Sequence, residues 1–128
     1  MTMALHKSGE DYLEAILMIQ KEKGCCRSID IAHHLNVSKP SVSVAMSTLR
    51  EEGLITTNSD GYMSFTEAGF RVASDIYSRH LLLTEFLLSI GVPEEIARED
   101  ACKIEHDISP ETVNCLTSFV QQRKDGEK

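Results

Sequence analysis

The tightest constraint on the fold lies in residues 28–65, where two helix-like segments separated by a short turn run straight into two β-type runs. Ser28 stands ahead of Ile29, Ile31, Ala32 and Leu35, and the pattern predicts a short helix capped by that serine, with the four apolar residues facing inward. Val37 and Ser38 turn the chain. Ser38 can cap a second helix with Pro40 in its first turn, where a missing N–H costs nothing. That helix is expected to run to about Glu52, to bury Val42, Ala45, Met46 and Leu49, and to close at Gly53. Residues 54–57 and 62–65 then read as short strands joined by Asn58, Ser59, Asp60 and Gly61, all turn formers. Short helix, tight turn, longer helix and hairpin make a winged helix-turn-helix pattern.

The rest of the chain reads as helix. Residues 5–23 carry a stripe of Leu5, Tyr12, Leu13, Ile16, Leu17 and Ile19, with Glu10, Asp11 and Glu14 on another face and Gly24 as the stop. Thr66 can cap a helix reaching Gly91, too long to be covered by the small winged head alone. Pro93 opens a further helix to about His106 or Asp107. Ser109, Pro110 and Glu111 start a last one with Val113, Leu116, Phe119 and Val120 inward and Cys115 in the core, and the polar residues 121–128 are expected to fray. The fold class is therefore mainly α, with a winged head over residues 1–70 and a helical domain over 71–128.

Charge is unevenly shared. Residues 1–71 hold seven Lys/Arg against nine Asp/Glu, while residues 72–128 hold six against eleven, so only the front half is compatible with a polyanion. No apolar run approaches the ~18 residues a membrane span needs, and no cationic start precedes an apolar block. A cytoplasmic location follows, with the four cysteines as thiols or ligands rather than a disulfide framework, and Cys25 and Cys26 as space fillers.

In a winged helix the leading residues of the second helix enter the major groove of DNA. Here those are Ser38, Lys39, Pro40, Ser41, Ser43 and Val44, with Ser47 one turn on. Serines can bond several base edges, and Pro40 or Val44 can meet a thymine methyl, but no Arg, Gln or Asn offers a two-pronged base contact. Lys39, Arg27 and Arg50 are the expected phosphate anchors. Such weak half-site reading calls for a dimer on a palindromic double-stranded operator, where contributions add.

A second constellation is chemical. Cys102, Glu105 and His106 are three and four residues apart, so a helix puts them on one side. Thiolate, carboxylate and imidazole are ligands for transition metals, and further donors are available at His80 and in the Asp11 and Glu14 carboxylates. Taken singly, each piece also has an ordinary explanation: a solvated acidic face, a packed histidine, an amphipathic helix.

Taken in order, the parts resemble the diphtheria-toxin-repressor and manganese-transport-regulator family. The resemblance covers about residues 7–122. It rests on Glu10 to Glu14, the Ser38 to Ser43 helix start in its winged head, Arg79-His80, Gly91-Val92, and the Cys102, Glu105, His106 spacing. It implies a homodimeric repressor activated by a divalent transition metal, with Asp11, Glu14, His80, Cys102, Glu105 and His106 as ligands, and no enzymatic activity. Asp11 and Glu14 match the manganese-type branch, where the iron type has methionine in place of Asp11. Cys102 matches the iron type, where the manganese type has glutamate. His80, Glu105 and His106 match both. Thr84 and Arg98 stand where iron-type members have the glutamate and histidine of an ancillary site. Iron-type members also usually carry a further C-terminal domain, and the layout here is similar to the manganese type. The mixed donor set points to Fe²⁺ or Mn²⁺, with Co²⁺, Ni²⁺ or Zn²⁺ able to substitute in vitro. The rival reading is a winged-helix regulator switched by oxidation of Cys102. An enzyme with Cys102 as nucleophile and His106 as base lacks any accompanying glycine-rich oxyanion loop.

Overall fold

A computed structural model describes residues 7–126. It divides into two compact units, Met1–Ser74 and Asp75–Lys128. The first holds α1 (Lys7–Lys23), α2 (Ser28–Leu35), α3 (Lys39–Glu51), β1 (Ile55–Thr57) and β2 (Met63–Phe65). Helix α4 (Glu67–Ser89) carries the chain into the second, which holds α5 (Glu94–Ile104) and α6 (Pro110–Gly126). No helix among the described residues is long and apolar enough to cross a membrane. Leu5, the first residue of the expected α1 stripe, lies outside the described residues.

The first unit is closed by apolar residues from every element. Leu13, Ile16, Leu17 and Ile19 of α1, Ile31 of α2, Val42, Met46 and Leu49 of α3, and Ile55 and Met63 of the hairpin are all buried. The winged helix-turn-helix is present in order. Ser38 caps α3 by accepting from the Ser41 N–H at 3.2 Å, and Gly53 takes a positive φ of 76° at the helix exit. Strands β1 and β2 pair antiparallel, Ile55 opposite Phe65 and Thr57 opposite Met63. Asn58 organises the tip, its side-chain oxygen accepting from the Asp60 and Tyr62 amides at 2.9 and 3.0 Å. The Met63 N–H donates to the Cys26 carbonyl at 2.9 Å, which ties the wing to the α1–α2 loop. Thr66 caps α4 through the Gly69 amide (3.1 Å) and donates its hydroxyl to the Gly53 carbonyl (2.6 Å). Gly69 is required there, because a Cβ would stand 1.8 Å from the Leu54 carbonyl oxygen.

Several expectations are corrected. The N-cap of α2 is Arg27, not Ser28, and its amide is satisfied by the Asp30 carboxylate reaching back (2.9 Å), a role an acid in the first turn fills better than a hydroxyl one residue late. Ile29 is 36% exposed, since Ile31 and Ala32 suffice to bury one face of an eight-residue helix. Phe70 and Leu81, two apolar residues of α4, are about half exposed. Cys115 is exposed: the inward stripe of α6 is Val113, Leu116 and Val120, and Cys115 stands on another face. Phe119 is 45% exposed and touches Phe86 edge-on, with 5.9 Å between ring centroids. Residues 121–126 do not fray: α6 continues to Gly126, with Gln121 bonded to Asp125 (3.2 Å) and Lys124 ion-paired to Glu85 of α4 (2.8 Å).

Candidate metal centre and nucleic-acid face

Helix α5 stops at Ile104, two or three residues short of the expected end. Glu105 is its C-cap and keeps helical torsions, donating its N–H to the Ala101 carbonyl, so it remains on the face that carries Cys102. His106 falls in the turn that follows. Facing this end of α5 is His80 of α4, whose Nδ1 lies 3.6 Å from Cys102 Sγ and 3.7 Å from Glu105 Oε1. One ligand atom each from His80, Cys102 and Glu105 falls within 4.8 Å of the others. The His106 ring is buried as well, its Nε2 3.8 Å from the same Glu105 oxygen. Asp11 and Glu14 stand on α1 in the first unit, one turn apart, and Glu14 is 5% exposed.

Glu105 is the residue that demands explanation. It is 0% exposed, yet among the described residues neither carboxylate oxygen receives a hydrogen bond. A carboxylate taken out of water without donors costs several kcal/mol, of order 2–7 even for a neutral polar group. The neighbours respond electrostatically. Cys102 first, then Glu105, hold the His80 imidazolium far above the ordinary histidine range, at about 10, against burial, which pulls the other way.

The donor set fits a divalent transition metal. Four-coordinate bond lengths of about 2.0–2.3 Å place neighbouring N, S and O ligands about 3.4–3.6 Å apart, close to the 3.6 and 3.7 Å found around His80 Nδ1. Imidazole, thiolate and carboxylate together select transition metals over Mg²⁺ or Ca²⁺. The remaining cysteines do not share this setting: Cys26 is a core residue whose thiol burial pushes up to about 12, and Cys25 is exposed.

Sequence reasoning missed Arg79 as a contributor. Its Nη1 donates to the Glu105 carbonyl at 3.4 Å and the Ile108 carbonyl at 3.2 Å, and its Nε pairs with Asp75 at 3.3 Å. Two signals were available: its place beside His80 in the Arg79-His80 pair, and an acid, Asp75, four residues ahead.

In the first unit the leading turn of α3 is open to solvent: Ser38, Lys39, Pro40, Ser41, Ser43 and Val44 are all exposed, Val44 by 69%. Ser38 and Ser41 are also committed to the cap, hydroxyl to hydroxyl at 2.8 Å. Arg50 reaches from α3 to the wing, donating to Thr57 Oγ1 (3.1 Å) and Ser47 Oγ (3.3 Å). Arg27 stacks over the Tyr62 ring at 4.6 Å and donates to the Asp60 carbonyl from two nitrogens (3.1 and 2.6 Å), so it braces the wing tip. These partners are neutral, and among the described residues no carboxylate pairs with either guanidinium. Lys23 differs: Asp30 neutralises it at 2.9 Å, and Lys23 in turn holds the Asp30 carboxyl below its usual range.

Comparison with known proteins agrees with both halves. Residues 4–62 match the family described as iron dependent repressor, N-terminal DNA binding domain, and residues 66–126 match iron dependent repressor, metal binding and dimerisation domain. The transcriptional regulator MntR of Escherichia coli O157:H7 is 36% identical over 113 residues, 88% of this chain and 73% of that protein. The HTH-type transcriptional regulator MntR of Bacillus velezensis is 37% identical over 121 residues, 94% and 84% respectively. Among solved structures, a manganese-dependent transcriptional repressor in complex with manganese superposes with a TM-score of 0.81 at 25% identity, over 88% of this chain and 52% of that one. The chain thus spans about half the length of that solved protein.

Proposed function

The chain belongs to the iron-dependent repressor family of transcriptional regulators, and on that premise we propose that it is a cytoplasmic homodimer that grips a palindromic operator when Fe²⁺ or Mn²⁺ is bound. The observation that carries the metal reading is Glu105, fully buried without a hydrogen bond and flanked by His80 and Cys102. Its ligands in this reading are His80, Cys102, Glu105 and His106, with Asp11 and Glu14 of α1 as the further oxygen donors. Co²⁺, Ni²⁺ and Zn²⁺ replace the natural ion in vitro.

A bound cation supplies positive charge among carboxylates and a thiolate. If Asp11 and Glu14 join Glu105 as ligands, their like charges would repel without the cation, and that repulsion would favour arrangements in which the winged heads are not held for DNA. Neutralised, the same side chains favour the arrangement that presents Ser38, Lys39, Pro40, Ser41, Ser43 and Val44 to successive half-sites, about 34–36 Å apart or a multiple of that. Coupling of the usual ~1–3 kcal/mol changes operator affinity by about 5–150-fold. Five large apolar side chains of the second unit, Leu81, Leu88, Ile90, Ile96 and Phe119, stand exposed and support a surface for a second copy.

Fluorescence anisotropy on promoter fragments, with and without Mn²⁺ or anaerobic Fe²⁺, tests this. Asp11→Ala and Cys102→Ala are each expected to remove the metal dependence while leaving the fold intact. Unchanged metal dependence in either variant would refute that ligand assignment. The exposure of Cys102 also favours a thiol switch, which predicts instead that peroxide alters DNA binding without metal and that Asp11→Ala changes nothing.

A further inference from the structure

We propose that Arg79 is a positioning residue for this centre: it holds the turn after α5 so that Glu105 faces His80. The inference rests on the metal reading above. Glu105 is gripped from both ends by consecutive residues of α4. His80 Nδ1 faces its carboxylate at 3.7 Å, and Arg79 Nη1 donates to its carbonyl at 3.4 Å. The same Nη1 reaches the Ile108 carbonyl at 3.2 Å, so a single guanidinium spans the turn that carries both Glu105 and His106. These are carbonyls at and beyond a helix end, which lack intrahelical partners and attract a cation. Arg79 is itself ordered by Asp75 one turn back (3.3 Å), and its side chain is only 17% exposed against 62% for Asp75.

What the clip does follows from the cost of Glu105. A carboxylate with no hydrogen bond relaxes toward water if its backbone is free to turn, and cation binding must then reverse that motion. Fixing the carbonyl side removes this reorganisation before any cation arrives. A residue acting on ligands from behind in this way typically changes metal affinity by about 10–100-fold. An ordinary helix cap would change stability alone.

The test is a Co²⁺ titration of the full chain, followed by the thiolate-to-metal absorption band, alongside hydrogen exchange of the metal-free protein. Arg79→Gln is expected to raise the half-saturation concentration at least about tenfold, with the band unmoved at saturation. Exchange should quicken at residues 105–108 and not in α1 to α3. Arg79→Lys, which keeps one donor, should recover part of the affinity. Asp75→Asn, on an exposed carboxylate that leaves the core untouched, should shift the titration severalfold in the same direction and serves if Arg79→Gln fails to fold. Half-saturation within twofold of the parent in Arg79→Gln or, if that variant does not fold, in Asp75→Asn would overturn the inference alone. A parent chain that takes up no Co²⁺ would overturn the metal reading and the inference together.

Discussion

The state of His80 makes a prediction with two opposite signs. Its Nδ1 sits between Cys102 Sγ and Glu105 Oε1, and those neighbours raise its pKa from 6.5 to about 10. A metal ion needs the lone pair that this proton occupies. Below about pH 10, therefore, each unit of acidification should lower apparent metal affinity about tenfold, and the span from pH 8.5 to 6.5 about a hundredfold. Folding stability responds the other way. A group whose folded-state pKa is raised stabilises fully below its unfolded value and loses that contribution as pH climbs through the folded one. Without bound metal the chain should therefore lose stability steadily between about pH 6.5 and about 10. Calorimetric titration with Mn²⁺ in two buffers of different ionisation heat counts the protons released, expected to be about one per ion from His80 alone. Urea denaturation of the metal-free chain over the same range gives the second sign. His80→Asn should flatten both slopes. Metal affinity independent of pH between 6.5 and 8.5, or metal-free stability that rises with pH, would refute the reasoning.

Other expectations follow from the first unit. The wing carries Asp60 and no Lys or Arg in residues 54–66, so Lys39, Arg27 and Arg50 are left to meet phosphates, about six contacts for a dimer. The logarithm of operator affinity should then fall against log salt with a slope of about −5, and Lys39→Ala should reduce that slope by about 2. Gly69→Ala gains about 1 kcal/mol of helix propensity but places a methyl 1.8 Å from the Leu54 carbonyl oxygen. The backbone must yield by more than an ångström, so a net destabilisation of about 2 kcal/mol is expected by thermal melting. Ser38→Ala removes the α3 cap and should cost about 1 kcal/mol, read the same way.

The parts of this fold legible in the sequence are those fixed within a few residues. Ser38, Pro40 and Gly53 bound α3, Asn58 and Gly61 turn the hairpin, and Ser109 caps α6 through the Thr112 amide at 3.1 Å, all by local hydrogen bonds and torsions. What was not legible depends on partners distant in the chain. Helix α6 runs past its apolar stripe to Gly126 because Lys124 finds Glu85, thirty-nine residues earlier. The exposure of Cys115 depends on which α6 face turns inward, and composition does not settle that. The spacing of Cys102 and Glu105 announced a shared face, but the depth of Glu105 and the hydrogen bond from Arg79, twenty-six residues earlier, could not be read from spacing.

The cost of that depth ties the chemistry together. A carboxylate at 0% exposure, a neighbouring thiol and two imidazoles add nothing to a core that Ile76, Leu83 and Val120 could fill more cheaply. The arrangement becomes favourable only when positive charge joins it, and His80 offers two ways: hold a proton, or give its lone pair to a cation. The two exclude one another at Nδ1. At a given pH that proton costs every such cation the same factor, so discrimination comes from the donors themselves, imidazole and thiolate binding transition metals well and Mg²⁺ or Ca²⁺ weakly. On this argument discrimination against Mg²⁺ and Ca²⁺ needs no size filter. It should weaken in His80→Asn, which replaces the imidazole nitrogen with an amide oxygen, and a variant equally selective by equilibrium dialysis would show that the imidazole is not its source.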